Sequence, residues 1–238
     1  IFLIRRIMKE LKSEGKCVYC TKMFSAAGIG RHLTSHLKDI QKESNSSSKA
    51  FHLKIPANEM FLHLLISGGT QLSDLDLYLR KIWLECCGHL SGFRVKNKQY
   101  EWSETEFGES MKQAVSKVFY KGLKLEYDYD FGSTTRLDIQ VVNEYNIRLS
   151  EGITLLSRNE PLSILCHQCN KKPAVEICSI HIYEGICMFC KSCAKKHEKT
   201  CPDFEDYANM SVHNSPRMGV CDYEGGTIDT ERDGVWKG

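Results

Sequence analysis

Leu123-Lys124-Leu125-Glu126-Tyr127-Asp128-Tyr129-Asp130-Phe131 alternates apolar and polar residues without a break. A period of two puts Leu123, Leu125, Tyr127, Tyr129 and Phe131 on one face of a strand and Lys124, Glu126, Asp128 and Asp130 on the other. Gly132-Ser133 turns the chain, and Leu137, Ile139 and Val141 resume the alternation, which predicts an antiparallel hairpin with one wet face. Outward from the hairpin, residues 51–55, 60–66 and 89–95 read as further strands. Residues 72–86 read as a helix: Ser73 caps it, Asp74 and Asp76 meet its positive first turn, and Leu72, Leu75, Leu79, Ile82, Trp83 and Cys86 recur on one face. Residues 111–119 read as a second helix on the spacing of Val115, Val118 and Phe119. The expected fold class is α+β: a central mixed α+β domain with an antiparallel sheet, flanked by two small zinc-binding modules.

The flanking modules are legible from cysteine and histidine spacing. Twelve cysteines in 238 residues mean either a disulfide framework or metal sites. Residues 1–4 are too short for the apolar core of a secretory signal and are followed by Arg5 and Arg6; Met8 offers an alternative start. The longest apolar run, residues 60–66, is interrupted by His63 and is too short for a membrane span. A cytoplasmic location with no membrane partner is therefore expected, and in that reducing setting CxxC pairs with spaced histidines read as zinc ligands. The expected layout is a basic finger module over 1–43, a polar linker over 44–50, the α+β domain over 51–160, a Cys/His module over 161–205 and a tail over 206–238.

Cys17-x2-Cys20-x11-His32-x3-His36 has the ligand order of a C2H2 finger. The CxxC knuckle sets two thiolates on one tight turn, and histidines four apart share a helix face, so together they complete a tetrahedron. Phe24 and Ile29 fall where such a finger keeps its small core. The net charge is only +2, but residues 1–49 carry ten Lys/Arg against four Asp/Glu, so the basic end coincides with this finger. Of the positions that would face a groove, Ser25 is nonspecific and Gly28 has no side chain, which leaves Arg31 to reach a base edge. Arg31 and Lys38, with the run Arg5, Arg6, Lys9, Lys12 and Lys16, are candidates for contact with DNA or RNA. The plainer alternative is a finger that stabilises the fold or touches protein, with a solvated basic flank.

The second module reads Cys166-x2-Cys169-x8-Cys178-x2-His181-x8-Cys190-x2-Cys193-x3-His197-x3-Cys201. A ribbon would use Cys166, Cys169, Cys190 and Cys193 around one zinc. A cross-brace would add a second zinc on Cys178, His181, His197 and Cys201. The eight-ligand spacing resembles B-box and RING-type cross-braces, which implies a surface for a protein partner. Cys187 offers a competing CxxC with Cys190. Both sites would be closed by four protein ligands, which points to structural zinc, two to three ions per chain.

Trp83…Gly88-His89-Leu90…Phe93…Tyr100 and Tyr127-Asp128-Tyr129-Asp130-Phe131-Gly132 resemble the plasmid pRiA4b ORF-3-like family, also labelled the passenger protein of IS1096-type elements. The resemblance covers about residues 50–160. It implies an α+β domain found in bacteria near mobile elements, with no assigned chemistry. That family continues into an acidic residue and Trp, where this chain has Ser133-Thr134-Thr135.

Two catalytic readings stand beside the structural one. Glu126, Asp128, Asp130 and Asp138 can be read as a carboxylate face holding Mg²⁺ for phosphodiester cleavage, or as a solvated acidic face. Cys86-Cys87 with His89 suggests a thiol nucleophile, against which Cys86 falls on the apolar helix stripe. His52 and His63 sit in strand patterns without evident partners. The leading expectation is a noncatalytic modular zinc-binding adaptor; the alternative is a metal-dependent nuclease or mobile-element accessory using the acidic hairpin face. The segment from Asn214 to Cys221 is too particular in composition for a disordered tail and is expected to pack against a domain.

Overall fold

A computed structural model describes residues 11–102 and 108–238; Arg5, Arg6 and Lys9 of the basic run lie outside these. The chain folds as two compact units. One comprises Glu14–Arg80 and His89–Asn159, and the other is built around Lys81–Gly88 and Glu160–Gly238. Helices and strands mix in an α+β arrangement.

The first unit begins with a short hairpin, β1 (Glu14–Lys16) and β2 (Met23–Ser25), followed by helix α1 (Ile29–Glu43). An eight-stranded sheet follows. Its strands are β3 (Lys49–Ala57), β4 (Met60–Ser67), β5 (Ser91–Val95), β6 (Lys98–Glu101), β7 (Gly108–Ser110), β8 (Lys124–Tyr129), β9 (Thr135–Asn146) and β10 (Ile153–Arg158). The spatial order is β10-β4-β3-β9-β8-β5-β6-β7. All neighbours are antiparallel except β6 and β7. Three hairpin turns each open on a left-handed residue, Asn58, Lys96 and Asp130, at φ 55°, 54° and 63°. That conformation gives the turn the twist its flanking strands require.

The predicted hairpin is β8–β9, with Leu125 opposite Ile139 and Tyr127 opposite Leu137. Its polar face is only partly wet, because Asp128 and Asp130 are buried while Lys124 is exposed. The predicted helix at 72–86 forms as α2 (Leu72–Leu79) and then loosens into a π-helical turn, Arg80–Leu84, so Cys86 lies beyond the helix and not on its apolar stripe. The helix expected over 111–119 is absent; one 3₁₀ turn, Val115–Lys117, stands in its place. The cause is competition for backbone groups. Leu72 and Ser73 donate to the carbonyls of Gln113 and Met111, while Val115 and Ser116 donate to those of Thr70 and Gly68. A helix would need those same groups internally.

The finger is built into this unit's core. Ile29, Leu33 and Leu37, four apart along α1, are fully buried and pack with Ala50, Phe61, Leu65, Tyr145 and Leu156 of the sheet. Close approach at the other end of the finger depends on Gly15, where a Cβ would lie 2.4 Å from the Arg158 carbonyl oxygen. Val18 N donates to Leu156 O at 3.0 Å.

His52 and His63 are not partnerless. They are buried together beneath α1, with His52 Nε2 and His63 Nδ1 2.8 Å apart. Gly30 permits the contact, since a Cβ there would come within 3.1 Å of His63 Cε1. Burial pushes His52 down to about 4 and His63 well below its usual range. Both imidazoles are therefore neutral when folded, whereas the unfolded chain protonates them below about pH 6.5. Their contribution to stability is complete above that pH and is lost as pH falls through the window down to about 4. The slope is up to about 1.4 kcal/mol per pH unit for each imidazole. Urea unfolding between pH 6.5 and 5 should show a shallower pH dependence for His52→Gln than for the natural chain.

In the second unit, β11 (Glu176–Cys178), β12 (Met188–Phe189) and β13 (Asn209–Ser211) form an antiparallel sheet in the order β12-β11-β13. Helices α3 (Lys191–His197) and α4 (Thr230–Asp233) complete it. No helix among the described residues is long and apolar enough to cross a membrane.

Candidate metal centres

The finger's four ligands converge. Cys17 and Cys20 lie on the knuckle after β1, and Thr21, at φ 59°, lets the chain double back so that its N–H reaches Cys17 O at 2.8 Å. His32 and His36 project from one face of α1. Cys20 Sγ stands 3.1 Å from His32 Nε2, which stands 3.2 Å from His36 Nε2. All four ligand atoms lie within 4.8 Å of one another. Bonds of about 2.3 Å to sulfur and 2.0 Å to nitrogen give tetrahedron edges of about 3.3 to 3.8 Å, so the spacing suits a tetrahedral ion. Phe24 stacks on His32 with ring centroids 4.0 Å apart, holding the imidazole. Burial and the neighbouring His36 lower the His32 pKa and favour the neutral, metal-binding form.

Arg31 and Lys38 are both exposed on α1. At 100° per residue they fall opposite the Ile29, Leu33 and Leu37 stripe, so the buried face and the basic face of this helix are separate. Gly28 is the N-cap of α1, and Ser25, just before it, is exposed.

The eight ligands of the second module group as interleaved pairs. Cys166, Cys169, Cys190 and Cys193 form one cluster, and Cys178, His181, His197 and Cys201 form the other, each within 4.8 Å. Cys169 and Cys190 sulfurs are 3.9 Å apart, and Cys178 Sγ lies 3.0 Å from His181 Nδ1. Backbone N–H groups of Lys171 and Lys172 lower the Cys169 pKa, and the Ser192 hydroxyl is the largest cause bringing Cys190 down to about 6. Both effects favour the thiolate that a metal requires. In the second cluster, Glu184 Oε2 sits 3.6 Å from His181 Nε2, the carboxylate position that orients a metal-bound imidazole. His197 keeps a buried Nε2 with no hydrogen-bond partner among the described residues. In the buried cluster around these ligands five of the nine residues are cysteines, with Phe189, Phe204 and two alanines, while Ile177, Ile182 and Met188 are buried elsewhere in the module. Cys187 joins neither cluster; it is buried beside His167, and burial pushes its thiol up to about 11.

Two of the four carboxylates considered for Mg²⁺ are already matched with arginines. Arg136 makes a two-pronged contact with Asp128 at 2.7 and 2.9 Å, and Arg94 donates to Glu126 at 2.6 Å. Asp130 Oδ1 accepts the Gly132 N–H within its own turn. Glu126 and Asp138 share a groove of about 590 Å³ with Lys54, Arg94, Lys96 and Lys124, so cations outnumber anions there.

The fold and these clusters define an α+β chain with Cys/His groups able to hold metal ions, each completed by four protein side chains. No family model matches the chain, and no curated protein matches it either. The solved structure of MM3350, a protein of unknown function from Methanosarcina mazei Go1, is similar over 46% of this chain and 67% of its own. Its sequence identity is 17% and the TM-score 0.40, a level at which the likeness does not define a fold.

Proposed function

We propose that this chain is a noncatalytic zinc-dependent adaptor. The observation that carries the reading is closure: the finger and cross-brace clusters each supply four protein ligands, which leaves no coordination position for a substrate or an activated water. Mixed thiolate and imidazole donors at tetrahedral spacing suit zinc above harder cations. The chemistry zinc supplies here is cross-linking, and the protein's own residues shape and orient the sites.

The contact surfaces follow from the placement of charge. The exposed Arg31 and Lys38 face would meet the phosphates of DNA or RNA, while the cross-brace would dock a protein. The resemblance of residues 50–160 to the pRiA4b ORF-3-like family fits a scaffold role for the sheet between them. A nuclease working from the hairpin face is disfavoured, because Arg94 and Arg136 already neutralise Glu126 and Asp128.

Fluorescence anisotropy with labelled duplex and single-stranded oligonucleotides across a salt series tests the nucleic-acid half of this reading. Binding should weaken steeply with salt, and Arg31→Ala with Lys38→Ala should reduce the log–log slope by about 2. The oligonucleotide should stay intact in Mg²⁺ and Mn²⁺. Binding unchanged by the double substitution removes the finger from the interface, and cleavage lost in Asp128→Ala restores the nuclease.

A further inference from the structure

The C-terminal segment is the part of the second unit whose purpose the finger and cross-brace do not explain. It docks on the π-helical turn Arg80–Leu84. Helix ends leave carbonyls without partners, and here the segment supplies donors for them. Ser215 Oγ donates to Trp83 O at 2.6 Å and Thr227 N to Lys81 O at 2.7 Å. Gly226 allows the approach, since a Cβ there would fall 2.6 Å from Ile82 O.

At the edge of this contact three thiols meet. Cys86 and Cys87 sulfurs are 3.9 Å apart, and Cys87 and Cys221 sulfurs are 3.6 Å apart although 134 residues separate them in sequence. All three sulfurs lie within 4.8 Å of one another. These separations are far above the roughly 2.05 Å of a disulfide. They match the edge of about 3.8 Å between two thiolates on one zinc. Cys221 and Asp222 are consecutive left-handed residues, both at φ 49°, a conformation that non-glycine residues keep only where the surroundings impose it. Arg217, fully buried, places Nη2 3.6 Å from Cys86 Sγ.

We propose that Cys86, Cys87 and Cys221 hold a further structural metal ion, a thiophilic divalent cation of the zinc class, which fastens the C-terminal segment to the turn after the π-helix. Each thiol releases its proton to solvent as its sulfur takes a metal bond, and no electrons are transferred. Three thiolates at this spacing would repel one another, and a divalent cation offsets that repulsion. The cross-link closes a long loop, where restraint of the unfolded chain is greatest. This site is independent of the finger and cross-brace, so it can fail while they stand.

The full chain, purified without oxygen or added metal, should lose one zinc equivalent in Cys87→Ser with Cys221→Ser and keep the others. Cys87 and Cys221 are exposed, so iodoacetamide can reach them in the metal-free protein. Bound to metal they should react at least about tenfold slower until a chelator is added. If the double variant fails to fold, this comparison on the natural chain decides alone. Equal metal content in both proteins, rapid alkylation before chelation, or a Cys87–Cys221 disulfide in the anaerobic protein would each overturn the proposal.

Discussion

Cys193→Ser should unfold the segment between Cys166 and Cys201 and release both of the zinc ions proposed for it. The interleaved order of ligands makes the two sites one cooperative object. The chain runs from Cys166 and Cys169 of the first cluster to Cys178 and His181 of the second, then back to Cys190 and Cys193, and out to His197 and Cys201. Releasing one ion frees the segments that position the other. The packing left behind around the ligands is small, because cysteines are five of the nine residues in that cluster, beside Phe189, Phe204 and two alanines. Each structural zinc site contributes on the order of ten kcal/mol to folding, so no repacking around Phe189 replaces it. The control is Cys187→Ser, equally buried in the same module but outside both clusters. It should retain both ions and cost only about 1 kcal/mol. Native mass spectrometry and limited proteolysis across residues 166–201 distinguish the two variants, and a Cys193→Ser protein that keeps one ion would mean the sites fold separately.

Asp76→Ala is expected to cost about 3–5 kcal/mol, the loss that follows when a buried charge is stripped of its partner. Asp76 is fully buried on α2, and its carboxylate accepts four hydrogen bonds. Arg80 Nε donates at 2.9 Å, Ser91 Oγ at 2.6 Å, Trp102 Nε1 at 3.0 Å and the Tyr127 hydroxyl at 2.7 Å. These bonds tie the helix to β5, β8 and the end of β6. Burial first, and then Asp76 itself, hold the Tyr127 pKa well above its usual range, so that hydroxyl stays a donor. Alanine leaves the largely buried Arg80 guanidinium and the buried Tyr127 hydroxyl facing a void. Asp76→Asn keeps one acceptor but turns an amide donor toward other donors, and should cost about 1–3 kcal/mol. Urea unfolding checks the order of the two variants, and the zinc content of both should match that of the natural chain.

Much of this architecture is legible in local sequence. The alternation from Leu123 to Phe131 specifies β8 because a half-buried strand needs a period of two. Metal ligands are still clearer, since Cys17, Cys20, His32 and His36 must be spaced as they are to meet at one point. What the sequence hides is pairing across distance. Asp128 and Asp130 read as surface charges until Arg136 is seen opposite one of them and a turn amide against the other. Val115 and Val118 suggest a helix until the backbone around Gly68–Ser73 takes the bonds that helix needs. His52 and His63 look isolated because their pairing is diagonal across β3 and β4 and covered by α1. Cys221 carries no motif with Cys86 and Cys87, and only the docking of the C-terminal segment on Trp83 brings the three sulfurs together.

The central claim is that closed zinc sites build this protein, and the zinc-to-protein ratio of the folded chain, measured by elemental mass spectrometry after purification without added metal, tests it most directly. The finger and cross-brace clusters would hold three ions, and the proposed thiol site on Cys86, Cys87 and Cys221 would add one more that Cys87→Ser with Cys221→Ser removes. A folded, stable chain with a ratio near zero would contradict the account, because the thiols of residues 166–201 would then be packing without the ions that their placement requires.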